Sequence, residues 1–237
     1  MSQQIEIGDI VVDVLKKDIK NIHLGVYPPF GRVRISAPQR MSLDMIRIFT
    51  ITKMGWIKSQ QVKITAQERE TPREYIDRES HFVWGKRYLL VVKEGSKNPA
   101  VEIKHDRIIL NVSDDADAEK KREVIEGWYR QQIKETVPSL IAKWEFLLGV
   151  RVARFFVQRM KTKWGGCNYH ERTIRLNTEL ARKPKEYLEY VIVHEAAHLL
   201  VPTHNAQFIA LMDQVMPNWR FYREQLNQLP VAYEDRR

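Results

Sequence analysis

The sequence is poor in cysteine: Cys167 stands alone among 237 residues. One thiol excludes an intramolecular disulfide framework and an all-cysteine zinc site, which leaves histidines and carboxylates as ligands for any metal. Long apolar runs are missing too. No charge-free stretch approaches the ~18 residues of a membrane span, and the start, MSQQIEIGDI, has neither the basic flank nor the apolar core of a secretory signal. These absences predict a cytoplasmic protein with no membrane partner. No low-complexity tract and no internal sequence repeat is visible. Acidic residues are outnumbered, 30 against 39 basic ones, for a net charge of +9 and a pI near 9.6. That balance makes nucleic acid or another anionic partner a candidate, although basic residues scattered over a surface give the same total.

What is present is an ordinary globular composition, 43% hydrophobic and 29% charged, enough for one large domain or two small ones. The first hundred residues carry short alternating segments, such as IVVDVLKKDI, RYLLVVKEG and AVEIKHDRIILNVS, punctuated by Pro28, Pro29, Gly31, Gly95 and Pro99. This pattern predicts an antiparallel sheet. One helical insert interrupts it at SLDMIRIFTITKMGWIKSQQVKI, with Ser42 as N-cap and Asp44 in the first turn.

The polar stretch SDDADAEKK at 113–121 is the expected boundary, giving a β-rich region over 1–112 and a second domain over 113–237. Beyond it, REVIEGWYRQQIKETVPSLIAKWEFLLG has helical spacing, with a kink or break expected at Pro138 and a stop at Gly149. RVARFFVQRMKTKW and RTIRLN read as strands joined by a turn, GGCNYHE, and a long helix is predicted from Pro184 to Leu200, ended by Pro202. A helical pair around Pro217 closes the chain. The expected class is α+β.

Within the predicted 184–200 helix, the run VIVHEAAHLL holds His194, Glu195 and His198 among apolar neighbours. Imidazoles four residues apart project from one helix face and can grip one ion, while Glu195 sits about a hundred degrees round. This is the HExxH arrangement of zinc hydrolases. In it the zinc lowers the pKa of a water to about 7, and the glutamate takes that water's proton and passes it to the leaving amine. A catalytic zinc needs a third protein ligand, and His204 is the candidate. Six residues of unbroken helix would carry it about 9 Å beyond His198, so Pro202 must turn the chain back. A bare HExxH arises by chance in about one chain in a hundred of this length. Three polar groups buried among Val191, Ile192, Val193, Ala196 and Ala197 nevertheless need compensation, which one Zn2+ with its water supplies.

Taken together, TKWGGC, TIRLNTELARKPKEYLEYVIVHEAAHLL and THNAQFIALMDQVMPNW resemble the YgjP-like metallopeptidase family, relatives of the SprT-like and WLM zinc proteases. The resemblance implies a zincin-like C-terminal half with a small sheet, a three-histidine zinc site at His194, His198 and His204, Glu195 as catalytic base, and a protein or peptide substrate. It places the family's turn on Trp164, Gly165 and Cys167, the phenylalanine that follows the third histidine on Phe208, and the closing motif on Met216, Pro217 and Trp219. Gly166 departs from the family's usual serine. Cys167 as a fourth ligand is disfavoured, since lone cysteines are usually small buried hydrophobes. The metzincin pattern, which shares the His194 to His204 spacing, fails because Val201 stands where it needs glycine, and Met212 and Met216 are better explained as core.

His170 and Tyr169 fit a solvated turn better than a transition-state donor, and His23, His81 and His105 have no partner motif. In zinc proteases of this kind an extended substrate pairs with an edge strand beside the metal, for which RTIRLN, with Arg172 and Arg175, is the expected segment. A second function class competes: a nucleic-acid-associated binding protein with a structural or vestigial metal. Arg151, Arg154, Arg159, Lys161 and Lys163 interleave with Phe155, Phe156 and Trp164, a mixture suited to phosphates and bases. Some SprT-like relatives act on proteins attached to DNA, so the resemblance also implies a DNA-stimulated protease.

Overall fold

The alternating segments of the first hundred residues become strands, in two separate sheets. The computed structural model describes residues 2–27, 30–66, 73–160 and 163–229, in two compact units, Met1–Glu70 and Thr71–Ala232. In the first unit β1 (Ser2–Ile7), β2 (Ile10–Lys17), β3 (His23–Tyr27) and β4 (Arg32–Pro38) lie in the order β1-β2-β4-β3. The expected antiparallel sheet is corrected here: β2 and β4 run parallel, while the outer pairs are antiparallel. β3 doubles back on the outer side of β4, so β4 meets β2 in the same direction, a choice that alternation does not encode.

The inward side chains Ile5, Val12, Val14, Val33 and Ile35 form a core with Ile46 and Ile57. The predicted helical insert is two helices, α1 (Leu43–Thr52) and α2 (Met54–Ala66). Ser42 caps α1 as expected, its Oγ accepting from the Met45 N–H at 3.2 Å.

In the second unit β5 (Ser80–Val83), β6 (Lys86–Lys93), β7 (Ala100–Lys104) and β8 (Arg107–Asn111) take the order β5-β6-β8-β7, again with a parallel central pair. The helix α3 (Ala118–Leu148) follows, then a small sheet of β9 (Arg154–Gln158), β10 (Gly165–Asn168) and β11 (Thr173–Asn177) in the order β10-β11-β9. β9 and β11 are parallel, β10 and β11 antiparallel. All three sheets therefore share one plan. β2-β3-β4, β6-β7-β8 and β9-β10-β11 each place the third strand between the other two, parallel to the first and antiparallel to the second.

The division between units falls well before the expected boundary at 112/113. Leu90, Ile108, Leu110 and Val112 share one core with Ile125, Tyr129 and Ile133 of α3, so β5 to β8 belong with the helix. The polar stretch at 113–121 is instead a helix start, where Asp117 Oδ1 accepts from the Lys120 N–H at 2.7 Å. α3 buries a stripe running Ile125, Tyr129, Ile133, Val137, Ile141, Trp144 and Leu148. The break expected at Pro138 does not occur. Pro138 lies on the exposed side of an uninterrupted helix whose buried neighbours Val137 and Ile141 hold it in place. Gly149, left-handed at φ 64°, ends the helix as expected.

A short 3-10 turn (Thr178–Arg182) leads into α4 (Lys185–Ala197), followed by α5 (Ala206–Val215) and α6 (Trp219–Gln228). No helix among the described residues is long and apolar enough to cross a membrane.

Candidate metal centre

α4 is held by Leu188, Val191, Ile192 and Val193, all buried. It ends earlier than the predicted Leu200, at Ala197, with His198 as its C-cap. There the chain tightens: Leu199 N and Leu200 N donate to the carbonyls of Ala196 and Ala197, each at 3.0 Å. Pro202 follows, and Asn205 starts α5, its Oδ1 accepting from the Phe208 N–H at 3.0 Å. This turn returns His204 to the other two histidines, as the spacing requires. Phe208 is buried beneath all three rings, with centroids at 5.0 Å from His194, 4.6 Å from His198 and 4.8 Å from His204.

His194, His198 and His204 each offer a nitrogen within 4.8 Å of the others, a group that could hold a metal ion. His204 Nε2 faces His194 Nε2 at 2.9 Å. His198 is 9% exposed, and its Nδ1 lies 3.1 Å from the Val201 carbonyl oxygen. A carbonyl only accepts, so Nδ1 carries the proton and Nε2 keeps a lone pair for a ligand. Burial, then the neighbouring His198, His204 and Arg223, pushes the His194 pKa down to about 3. Burial also lowers that of His198, against the hydrogen bond to Val201. Both rings are neutral near pH 7, the form that binds a metal. His194 Nδ1 is buried without a hydrogen-bond partner among the described residues. Three neutral imidazoles suit Zn2+ among first-row ions.

Glu195 is 7% exposed, and burial raises its carboxyl to about 7, against the pull of Lys163. It faces β10. A Cβ built on Gly165 would lie 2.7 Å from Glu195 Oε1 and 2.7 Å from Val191 Cγ1, so only glycine lets the strand come this close. At Gly166 a Cβ meets nothing within 4 Å, so the serine usual in the family is not sterically excluded.

Two strand readings are corrected at this point. GGCNYHE is not all turn, because Gly165–Asn168 pairs with β11; its glycines hide strand character from propensity. RTIRLN is consequently the central strand, and β10 is the edge beside Glu195. Cys167, on the same strand face as Gly165, has its thiol pushed up to about 11 by burial and by Glu195. It stays protonated and outside the histidine group.

Tyr169 and His170 are exposed in the β10–β11 turn, their rings 4.1 Å apart, where Asn168 Oδ1 accepts from the N–H groups of His170 and Glu171. Trp164 is a packing residue whose Nε1 donates to the Leu226 carbonyl at 3.1 Å. Met212 is buried core, as expected. Tyr190, its ring 5.8 Å from that of His194, escaped the sequence reading because no motif marks it, and Lys163, read there as a candidate phosphate contact, instead acts on the Glu195 carboxyl.

A family model described as YgjP-like, metallopeptidase domain, matches residues 20–229. Two solved structures are similar over a smaller share. The metallopeptidase zymogen abylysin of Pyrococcus abyssi is 20% identical over 40% of this chain and 99% of its own, with a TM-score of 0.37. The metallopeptidase zymogen jannalysin of Methanocaldococcus jannaschii is 18% identical over 39% of this chain and 88% of its own, with a TM-score of 0.36. No curated protein matches. Because the family match runs across most of its length, this chain belongs to the YgjP-like metallopeptidase family.

Proposed function

We propose that the protein is a zinc-dependent peptidase in which His194, His198 and His204 hold one Zn2+ and Glu195 is the general base. The observation that carries this reading is the convergence of three imidazole nitrogens within 4.8 Å beside a buried carboxylate. Zinc bound there would polarise a peptide carbonyl and make water acidic enough to attack it near neutral pH. Glu195, with a carboxyl at about 7 in the metal-free protein, is matched to accept a proton and return it to the leaving amine. A neighbouring dication favours its ionised form, so the base is deprotonated when the site is loaded.

The outer edge of β10, with which no strand pairs among the described residues and which approaches Glu195 at Gly165, is where an extended substrate pairs. This replaces the assignment to β11. The buried Glu195 argues against a purely structural metal, which has no use for a base. A single half-buried thiol agrees with a cytoplasmic setting. Proteins attached to DNA are the finer substrate class drawn from the family's SprT-like relatives.

The test is cleavage of an unfolded model protein by zinc-loaded enzyme, with and without single-stranded DNA. Glu195→Gln should lower kcat by about 10²–10⁴ while keeping one zinc per chain by metal analysis. Cleavage that survives in this variant would remove Glu195 from the mechanism. DNA that leaves the rate unchanged would reject the DNA-stimulated form alone.

A further inference from the structure

The shared sheet plan exposes an omission. In the first sheet the outer side of β2 is covered by antiparallel β1 over six residue pairs, and in the second β5 covers β6 over four. β9 holds the equivalent position in the third sheet, but the element before it is α3. Among the described residues no strand pairs with its outer edge, which leaves five residues of backbone without a ladder on that side.

Next to this edge lies a groove of about 550 Å³ lined by Pro138, Ile141, Ala142 and Phe146 of α3 and by Val152 and Phe155. Phe146 is 87% exposed, the most exposed large apolar side chain among the described residues, and Leu147 beside it is also exposed. An aromatic left in water at the lip of an apolar groove marks a contact surface. The border is cationic. Arg151 and Arg154 line the groove and form no ion pair among the described residues, while the one carboxylate in the lining, Glu145, accepts from the Val152 N–H at 2.6 Å. On the outer face the Arg175 guanidinium stands 5.8 Å from the Phe156 ring.

We propose that β9 is a docking edge for an extended segment of a partner protein, which adds as the missing antiparallel strand. Side chains alternate along such a segment. Those facing α3 are apolar and fill the groove beside Phe146, and those on the opposite face are acidic and meet Arg154 and Arg175. A second copy of this chain is a poor occupant, because pairing two β9 strands gathers Arg151 and Arg154 of both copies at one seam, and the strand sequence RFFVQ carries no carboxylate to meet them. The interaction requires neither metal nor Glu195, so it stands apart from the catalytic reading.

The experiment uses the full chain without zinc and a fluorescein-labelled peptide of alternating leucine and glutamate, followed by anisotropy. A peptide of equal composition with the two residues in separate blocks is the control. Expected are saturable binding of the alternating peptide, at least tenfold weakening by Phe146→Asp and by Arg154→Glu, and slowed amide exchange at residues 154–158 but not 165–168. Both substitutions fall at exposed positions, and circular dichroism confirms their folding. Any one of four results overturns the proposal: no binding, equal binding by both variants, protection at 165–168 instead, or tighter binding of an oligothymidylate than of the peptide. A dimer in sedimentation with protected 154–158 would give the edge to a second copy and overturn it equally.

Discussion

Gly165 sets how near the small sheet comes to Glu195. Gly165→Ala puts a methyl group 2.7 Å from Glu195 Oε1 and from Val191 Cγ1. The strand or the carboxylate must then move, and kcat/KM should fall by tenfold or more, since small misplacements of a catalytic group are costly. Gly166→Ser enters open space and should stay within about twofold of the parent in the same assay. Glu195 also contributes to the pH dependence of the metal-free protein's stability. Its carboxyl titrates near 7 when folded and at an ordinary ~4.5 when unfolded. Between these values the unfolded chain binds fewer protons, so stability falls as pH rises through the window. Urea titrations should find Glu195→Gln more stable than the parent at pH 8, by on the order of 3 kcal/mol, with the gap closing by pH 4. His194 acts oppositely: its pKa near 3 when folded makes stability fall as pH drops from about 6.5 toward 3. The histidines and Glu195 were legible in the sequence because a four-residue spacing on a helix fixes their directions. Gly165 was placed in the family's turn by resemblance, but its approach to Glu195 was not legible, because that contact spans thirty residues of chain and no local pattern records it.

Arg182, 3% exposed at the end of the 3-10 turn, ties that turn to α3. Its guanidinium donates to Glu126 Oε1 at 2.6 Å, lies 3.2 Å from Glu179 Oε2, and sits 4.0 Å from the Tyr129 ring centre. Burial pulls its pKa down, yet Glu179, Tyr129 and Glu126 together raise it, so it stays charged. Arg182→Met strands two carboxylates and should cost about 3–5 kcal/mol in chemical denaturation. Breaking the exposed pair Lys58–Asp9 should leave the denaturation midpoint essentially unchanged by the same measure, because solvent screens it. Pro138→Ala in α3 returns a backbone donor to an unbroken helix and should stabilise by about 1–3 kcal/mol. The elements themselves were readable from periodicity, and the caps Ser42, Asp117 and Gly149 marked helix ends. Strand direction was not readable: a parallel and an antiparallel neighbour bury the same alternating residues. The ion pair was equally silent, since Arg182 in sequence is one more charge before a helix.

The chain has two cores, one built on Val12, Val33, Ile35 and Ile46 and one on Leu110, Tyr129, Ile174 and Ile192. Calorimetry should resolve two transitions, and Zn2+ should raise only the one that melts Thr71–Ala232, because ligand binding stabilises the unit that binds. A single transition, or both moving together, would contradict this. The common plan of the three sheets could not have been seen beforehand, since it resides in pairing order and the sequences share no motif. The metal site has the reverse character. His194, His198, His204 and the Phe208 beneath them lie within one short stretch spanning α4 and α5, whereas the strand that meets Glu195 arrives from residue 165. Closing a short loop costs less entropy than joining distant segments. The three histidines can therefore come together before β10 settles against α4, so the group that could hold a metal assembles earlier than the contact that positions Glu195.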